Sequence, residues 1–156
     1  MLQKLVTPVC IVLILLVVGG VGWYVVNQRT QYRAKILTAY ENWKSTRDTS
    51  KKIFSRMHDS TADKKRDFVA YQDIWNKFDP YYPPGVDSRL SEALLADKQV
   101  HLEGAEEALG VYRNSSNPME VFRVLSRYET LSDESEENVE TVFRAIAPEL
   151  AAQRAD

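Results

Sequence analysis

The sequence predicts an all-α protein in which one N-terminal transmembrane helix continues into a stalk and is followed by a small bundle of about four further helices. Three observations support this prediction. A run without charged residues covers 5–26, apolar side chains recur at three- and four-residue spacing through most of the remaining chain, and no stretch shows the alternation typical of strands. With 156 residues in total, the chain has room for one small domain beyond the apolar run.

The apolar run is long enough to span a bilayer. As a helix, its 22 residues from 5 to 26 would extend about 33 Å, against a hydrocarbon core of about 30 Å. Pro8 would stand in the first turn, where the amide hydrogen that proline lacks has no helical acceptor. We therefore predict an uncleaved transmembrane signal anchor over residues 1–28.

A secretory signal peptide is the alternative interpretation of the same run. Lys4 would then be a minimal basic region, and Gly20 and Gly22 would provide the small residues of a cleavage site. The run is longer than the apolar region of an ordinary signal peptide, so the signal anchor is the favoured interpretation.

Aromatic and basic residues follow the run at the point where the far membrane interface would fall. Tryptophan and tyrosine are enriched at such interfaces, and lysine and arginine flank membrane spans. The predicted membrane-interface residues are Trp23, Tyr24, Arg29, Arg33 and Lys35. The two flanks carry equal charge, so charge does not decide the orientation. The short leader before the run favours a C-terminal domain outside the cytoplasm, which is the periplasm in a bacterium.

Beyond the anchor, we predict a membrane-proximal stalk over 29–59 and a helical domain over 60–156. Neither glycine nor proline occurs between Asn27 and Pro80, so the anchor helix is expected to continue out of the bilayer. The segment 79–85 contains three prolines, which remove amide donors and disfavour helix, and it is predicted to be a connector. Further helices are predicted near 62–78, 88–113, 118–130 and 133–152.

Four polar residues interrupt or flank the apolar stripes of these helices. Arg47 and Ser50 interrupt the stripe of the stalk, and Lys98 and His101 flank the stripe of the helix over 88–113. Polar groups that point inward among apolar residues are typical of a ligand pocket. Surface positions on a frayed helix face explain the same pattern, and both interpretations stay open.

No residue pattern in this sequence is typical of an enzyme. Asp97 and His101 share a helix face, but two ligands do not make a metal site, and we interpret both as solvated surface residues. The only cysteine, Cys10, lies in the apolar run, and the net charge of −2 gives no general attraction to nucleic acid. We therefore expect a protein that is not an enzyme and that binds no cofactor, metal or nucleic acid.

The expected function is that of an accessory, assembly or scaffolding subunit in a larger membrane protein complex. Twelve of the sixteen aromatic residues (Phe 5, Trp 3, Tyr 8) lie between Trp23 and Tyr82, which is more than a slim stalk and one helix readily bury. The anchor is expected to contact the lipid bilayer. The side chains expected to contact a protein partner are Tyr32, Tyr40, Trp43, Tyr81 and Tyr82. The alternative function is a membrane-anchored extracytoplasmic sensor or small-ligand-binding helical bundle.

Overall fold

A computed structural model describes the backbone of residues 3–57, 63–114 and 117–153, and their side chains except those of 3–18 and 118. Over these ranges the protein consists of five α-helices and no strand, which confirms the all-α prediction. The helices are α1 (Gln3–Met57), α2 (Lys64–Lys77), α3 (Ser88–Asn114), α4 (Pro118–Ile146) and α5 (Pro148–Ala152).

The chain divides into two compact units, Met1–Ala34 and Lys35–Asp156. In the first unit, the side chains of 19–26 are exposed. Among the residues that the structure describes, no helix combines the length and the apolar character that a membrane crossing requires. The span predicted over 5–26 falls mainly on 3–18, whose side chains lie outside the described residues.

The second unit takes in the C-terminal part of α1, which the sequence analysis assigned to a separate stalk. The seam of this part repeats at alternating four- and three-residue spacing, which keeps one face of a helix against its neighbours. Its buried members are Ile36, Tyr40, Trp43, Arg47, Ser50 and Met57, with the partly buried Phe54 between the last two. The unit boundary therefore lies near residue 35, inside the segment 29–59 that was predicted to be the stalk.

Helix α2, which corresponds to the helix predicted near 62–78, carries aromatic residues in a stripe along one face. Its N-cap is Asp63, whose carboxylate accepts a hydrogen bond from the Arg66 backbone amide at 3.2 Å. At its other end, Lys98 donates from Nζ to the Phe78 carbonyl at 2.6 Å, which satisfies an acceptor that the helix leaves free. The buried residues of the stripe are Phe68, Tyr71, Trp75 and Phe78.

Helix α4 corrects the two helices predicted over 118–130 and 133–152. A single helix covers Pro118–Ile146, and α5 begins only at Pro148. No glycine or proline interrupts 119–146, so nothing in the backbone forces a break. The serines that resemble helix caps, Ser132 and Ser135, direct their hydroxyls toward α1 and α3 instead.

Helices α3 and α4 pack closely where the Tyr128 ring covers Gly104. A Cβ added at Gly104 would lie 1.7 Å from Cε2 of Tyr128, far inside van der Waals contact. The same addition at Gly110, also on α3, would meet no heavy atom within 4 Å. Only the first of these two glycines is therefore required for the packing of α3 on α4.

Candidate functional site

Arg47, which lies in the buried seam of α1, is the centre of a buried polar cluster. Its side chain is 2% exposed, and Nη1 donates to Oδ1 of Asp97 at 2.9 Å and approaches Nε2 of His101 at 3.1 Å. The other terminal nitrogen, Nη2, donates to the Ser132 carbonyl at 2.8 Å and forms an ion pair with Glu136 at 2.8 Å. Arg47 therefore joins α1 to both α3 and α4.

Asp97 is fully buried and has a donor at each carboxylate oxygen. Its Oδ2 accepts a hydrogen bond from Nε1 of Trp43 at 2.7 Å, while Oδ1 accepts from Arg47 and from the Ser135 hydroxyl. Burial alone would raise the pKa of Asp97. The positive charge of Arg47 and the hydrogen bonds that the carboxylate accepts, among them that from the Ser135 hydroxyl, outweigh burial and hold this pKa below its ordinary value. Asp97 is accordingly ionised at neutral pH.

His101 lies between aromatic rings and is neutral at physiological pH. Its ring stacks on Trp75 with centroids 3.9 Å apart and an interplanar angle of 7°, and its Nδ1 is 2.5 Å from the Tyr71 hydroxyl. A guanidinium has only donors, so we assign Nε2 as the acceptor from Arg47 and Nδ1 as the protonated nitrogen. Burial lowers the pKa of His101, and the neighbouring Asp97 carboxylate opposes this only in part.

Acid is expected to destabilise this cluster in two stages. Because the folded-state pKa of His101 lies below its ordinary 6.5, the unfolded chain takes up a proton first as the pH falls below 6.5. The free energy of unfolding should then decrease by up to about 1.4 kcal/mol per pH unit. Asp97 and Glu136, whose pKa values are also lowered, should add a further loss below pH 4.5, the ordinary value for Glu136.

Urea unfolding at a series of pH values tests this expectation. His101→Gln should abolish the decrease between pH 6.5 and pH 5, whatever its effect on stability at pH 7. His58→Gln, which removes the other histidine of the chain, is the matched control and should keep the decrease. An unchanged slope in His101→Gln would contradict the assignment.

Three buried polar groups of the described residues have no hydrogen-bond partner. They are Nε of Arg47, Nε1 of Trp75 and the hydroxyl of Tyr128. Trp75 and Tyr128 lie close enough to the Tyr71 hydroxyl to influence its pKa, but neither makes a hydrogen bond of acceptable geometry to it. A buried polar group without a partner loses its hydration and gains nothing in return, so such groups are uncommon in folded proteins.

A cleft of about 670 Å³ between α1 and α4 opens on this cluster; we call it the α1–α4 cleft. Its floor contains the buried side chains of Tyr71, His101 and Tyr128. Phe54 and Phe122 contribute apolar walls, and the rim is formed by exposed polar residues, among them Lys51, Glu129 and Asp133. Its size and its mixture of aromatic walls with a few buried polar groups are typical of small-molecule sites.

A second cleft, of about 780 Å³, is lined by Tyr40, Phe143 and several carboxylates. The Tyr40 hydroxyl donates to Oε1 of Glu140 at 2.5 Å, and the Tyr40 ring stacks on Phe143 with centroids 3.9 Å apart. None of the three unpartnered polar groups belongs to its lining residues. The α1–α4 cleft is therefore the stronger candidate for a binding site.

The side chains predicted to contact a partner divide into two groups. Tyr40 is 3% exposed and Trp43 is fully buried, and both pack in the core of the second unit. Tyr32, Tyr81 and Tyr82 are exposed, and their contact with a partner stays a prediction.

The predicted membrane-interface residues occupy one stretch of α1. Trp23 and Tyr24 are 70% and 58% exposed, Arg29 and Arg33 are also exposed, and Lys35 is half-buried. Their contact with lipid stays a prediction.

The interpretation of Asp97 and His101 as solvated residues is wrong, because both are buried at the centre of the bundle. The sequence contained a signal for this: the buried seam of α3 runs through Leu90, Leu94, Asp97 and His101 at alternating four- and three-residue spacing. Leu95, an apolar neighbour of Leu94 that lies outside this seam, is only half-buried. In the described part of the chain, no three His, Cys, Asp or Glu side chains are grouped in a way that could hold a metal ion.

Comparison with known proteins adds no relative. No family model matches the chain, and no curated protein or solved structure is significantly similar to it.

Proposed function

We propose that the unit Lys35–Asp156 binds a small molecule in the α1–α4 cleft and that residues 1–28 anchor it in a membrane. The observation that carries the proposal is the floor of the cleft, where the buried Tyr128 hydroxyl makes no hydrogen bond of acceptable geometry to any residue that the structure describes. A ligand that supplies this partner would remove an energetic penalty that the empty bundle bears.

The buried cluster behind the floor supports the same proposal. Moving a charged pair such as Arg47 and Asp97 into the core is often no more favourable than filling the same space with apolar side chains. Departures of this kind from an apolar core are concentrated at functional sites in natural proteins. A role in positioning His101 and Tyr71 for a ligand accounts for the cluster, whereas stability alone does not.

The membrane anchor and its orientation are proposed from the sequence. The 22 uncharged residues over 5–26 support a span, and the orientation carried over from the sequence analysis places the bundle outside the cytoplasm. A cysteine at the exposed position Glu137, in a Cys10→Ser chain, should react with a membrane-impermeant thiol reagent in intact cells. Labelling that requires cell lysis would contradict this orientation.

Binding in the α1–α4 cleft is tested with the full chain in lipid nanodiscs and a library of small molecules. Ligand-observed NMR should find compounds that bind. Ser55→Trp, which fills the mouth of the cleft, should weaken their binding by about tenfold or more, equivalent to about 1.4 kcal/mol. Ser45→Trp, at an exposed position on the same helix that does not line the cleft, should leave binding unchanged. A library without a ligand, or ligands indifferent to Ser55→Trp, would contradict the proposal.

An accessory subunit of a membrane complex is the second candidate. It is favoured by Tyr81 and Tyr82, which are 56% and 53% exposed on a connector that its prolines stiffen. If this candidate is right, a protein partner should co-purify with the chain in mild detergent and be lost from a Tyr81→Ser/Tyr82→Ser variant. A chain that purifies alone would argue against this candidate.

A further inference from the structure

We infer that the ligand of the α1–α4 cleft is an uncharged molecule that carries an oxygen acceptor on an apolar body. The acceptor binds between the hydroxyls of Tyr71 and Tyr128, and the body lies against Phe54 and Phe122. This inference rests on the proposed function, because it names the chemical class that the same site would take.

The floor of the cleft has more hydrogen-bond donors than acceptors. Arg47 can only donate, so Nε2 of His101 is an acceptor and its Nδ1 donates to the oxygen of Tyr71, 2.5 Å away. The hydroxyl hydrogen of Tyr71 is therefore available for a hydrogen bond to an acceptor other than His101. Among the described residues, the Tyr128 hydroxyl makes no hydrogen bond of acceptable geometry. Two phenolic O–H donors at the floor of the α1–α4 cleft therefore favour a ligand that carries a hydrogen-bond acceptor.

Both hydroxyls stay protonated at any physiological pH. Burial raises the pKa of Tyr71 and of Tyr128 far above the ordinary value for tyrosine. Each group is thus a neutral donor, and neither becomes a phenolate that would attract a cation to the floor.

Three other polar side chains that line the cleft already make hydrogen bonds. The Ser50 hydroxyl donates to the Arg47 carbonyl at 2.8 Å, and the Ser132 hydroxyl accepts from Arg47 at 3.1 Å. Lys51 donates to Glu136 at 2.9 Å. The two buried tyrosine hydroxyls are therefore the donors that we assign to the acceptor of a ligand.

The charges around the cleft disfavour an anion. Arg47 is neutralised by Asp97 and Glu136, and Lys51 is held by the same Glu136. At the rim, Glu129 and Asp133 add negative charge. A carboxylate or phosphate would lose its hydration in the cleft and meet no uncompensated positive charge there.

Three naphthalene probes of one shape separate these contributions. The ketone 2-acetylnaphthalene carries the acceptor, 2-ethylnaphthalene lacks it, and 2-naphthoate replaces it by an anion. Dissociation constants are measured by ligand-observed NMR on the full chain in nanodiscs, with empty nanodiscs as the blank. The ketone should bind about fivefold more tightly than the hydrocarbon, as expected for a hydrogen bond, and the anion should bind more weakly than the ketone.

The Tyr128→Phe substitution tests whether the tighter binding of the ketone depends on the Tyr128 hydroxyl. It should weaken binding of the ketone until it equals that of the hydrocarbon, without lowering the thermal midpoint of unfolding, because the hydroxyl that it removes has no partner in the free protein. Tyr112→Phe, at an exposed tyrosine outside the cleft lining, is the matched control and should change neither value.

The outcomes distinguish this inference from the proposed function. The proposed ligand class is overturned by any of three results. The ketone and the hydrocarbon bind equally tightly, the anion binds more tightly than the ketone, or Tyr128→Phe leaves the affinity for the ketone unchanged. Absence of binding by all three probes also overturns it when library compounds still bind in a manner sensitive to Ser55→Trp. If neither the probes nor the library bind, the proposed function itself is overturned.

Discussion

Replacing Arg47 by methionine is expected to lower the free energy of unfolding by about 3–5 kcal/mol, the range for removing one partner of a buried ion pair. The change leaves Asp97 ionised and buried without its cationic partner, and it removes the contacts that join α1 to α4. A domain of this size has a total stability of about 5–15 kcal/mol, so the loss brings it close to unfolding. Urea unfolding followed by the fluorescence of Trp43 and Trp75, both buried in the core, measures it.

A second substitution identifies the cause of this loss. Asp97→Asn removes the charge that Arg47→Met leaves unpaired, so the double variant should be more stable than the sum of the two single changes implies, by about 1–3 kcal/mol. Additive effects would show that Arg47 contributes through packing alone. A single variant within about 1 kcal/mol of the unchanged protein would contradict the role of the ion pair.

Replacing Gly104 by alanine is expected to destabilise the bundle by about 3 kcal/mol, because overpacking displaces the Tyr128 ring from the core. The added methyl group would lie 1.7 Å from Cε2 of that ring, and no small adjustment of the ring relieves such an overlap. Since Tyr128 also contributes to the floor of the α1–α4 cleft, ligand binding should be lost together with stability.

Gly110→Ala on the same helix is the matched control for this prediction. Its methyl group meets no atom within 4 Å, so the higher helix propensity of alanine should stabilise α3 by about 0.5–1 kcal/mol. In a Tyr128→Ala background, Gly104→Ala should no longer destabilise. Equal effects of the two glycine substitutions in the unchanged background would disprove the steric explanation.

Helical periodicity predicted most of this fold, but the buried helix faces were assigned from the spacing of apolar residues only. The stripe of α2 and the connector after it follow from aromatic spacing and from prolines, which act locally. Arg47 and Ser50 occupy the same three- and four-residue positions as Trp43, yet polarity suggested that they weakened the seam. A residue's position in the repeat was a better guide to its burial than its polarity.

The candidate site was harder to predict because it depends on contacts between helices distant in sequence. Arg47 and Asp97 are 50 residues apart, and their pairing follows from how α1 and α3 are packed. The division of α4 was predicted wrongly for a related reason: Ser132 and Ser135 look like caps until the groups that bind their hydroxyls are known. Neither the volume of the cleft nor the unpartnered Tyr128 hydroxyl can be seen in a local pattern.

The contacts of α1 with α4 also set the register of the two helices. They run antiparallel, since Tyr40 contacts Glu140 while Arg47 contacts Ser132 and Glu136. Sliding α1 by one turn, about 5.4 Å, would bring Lys51 to the position of Arg47. A lysine ammonium is a single point of charge and cannot reproduce the fork of donors that a guanidinium presents to acceptors on two helices. The observed register therefore satisfies buried acceptors that this shift would leave without partners. A seam of interchangeable aliphatic side chains does not distinguish the two registers in this way.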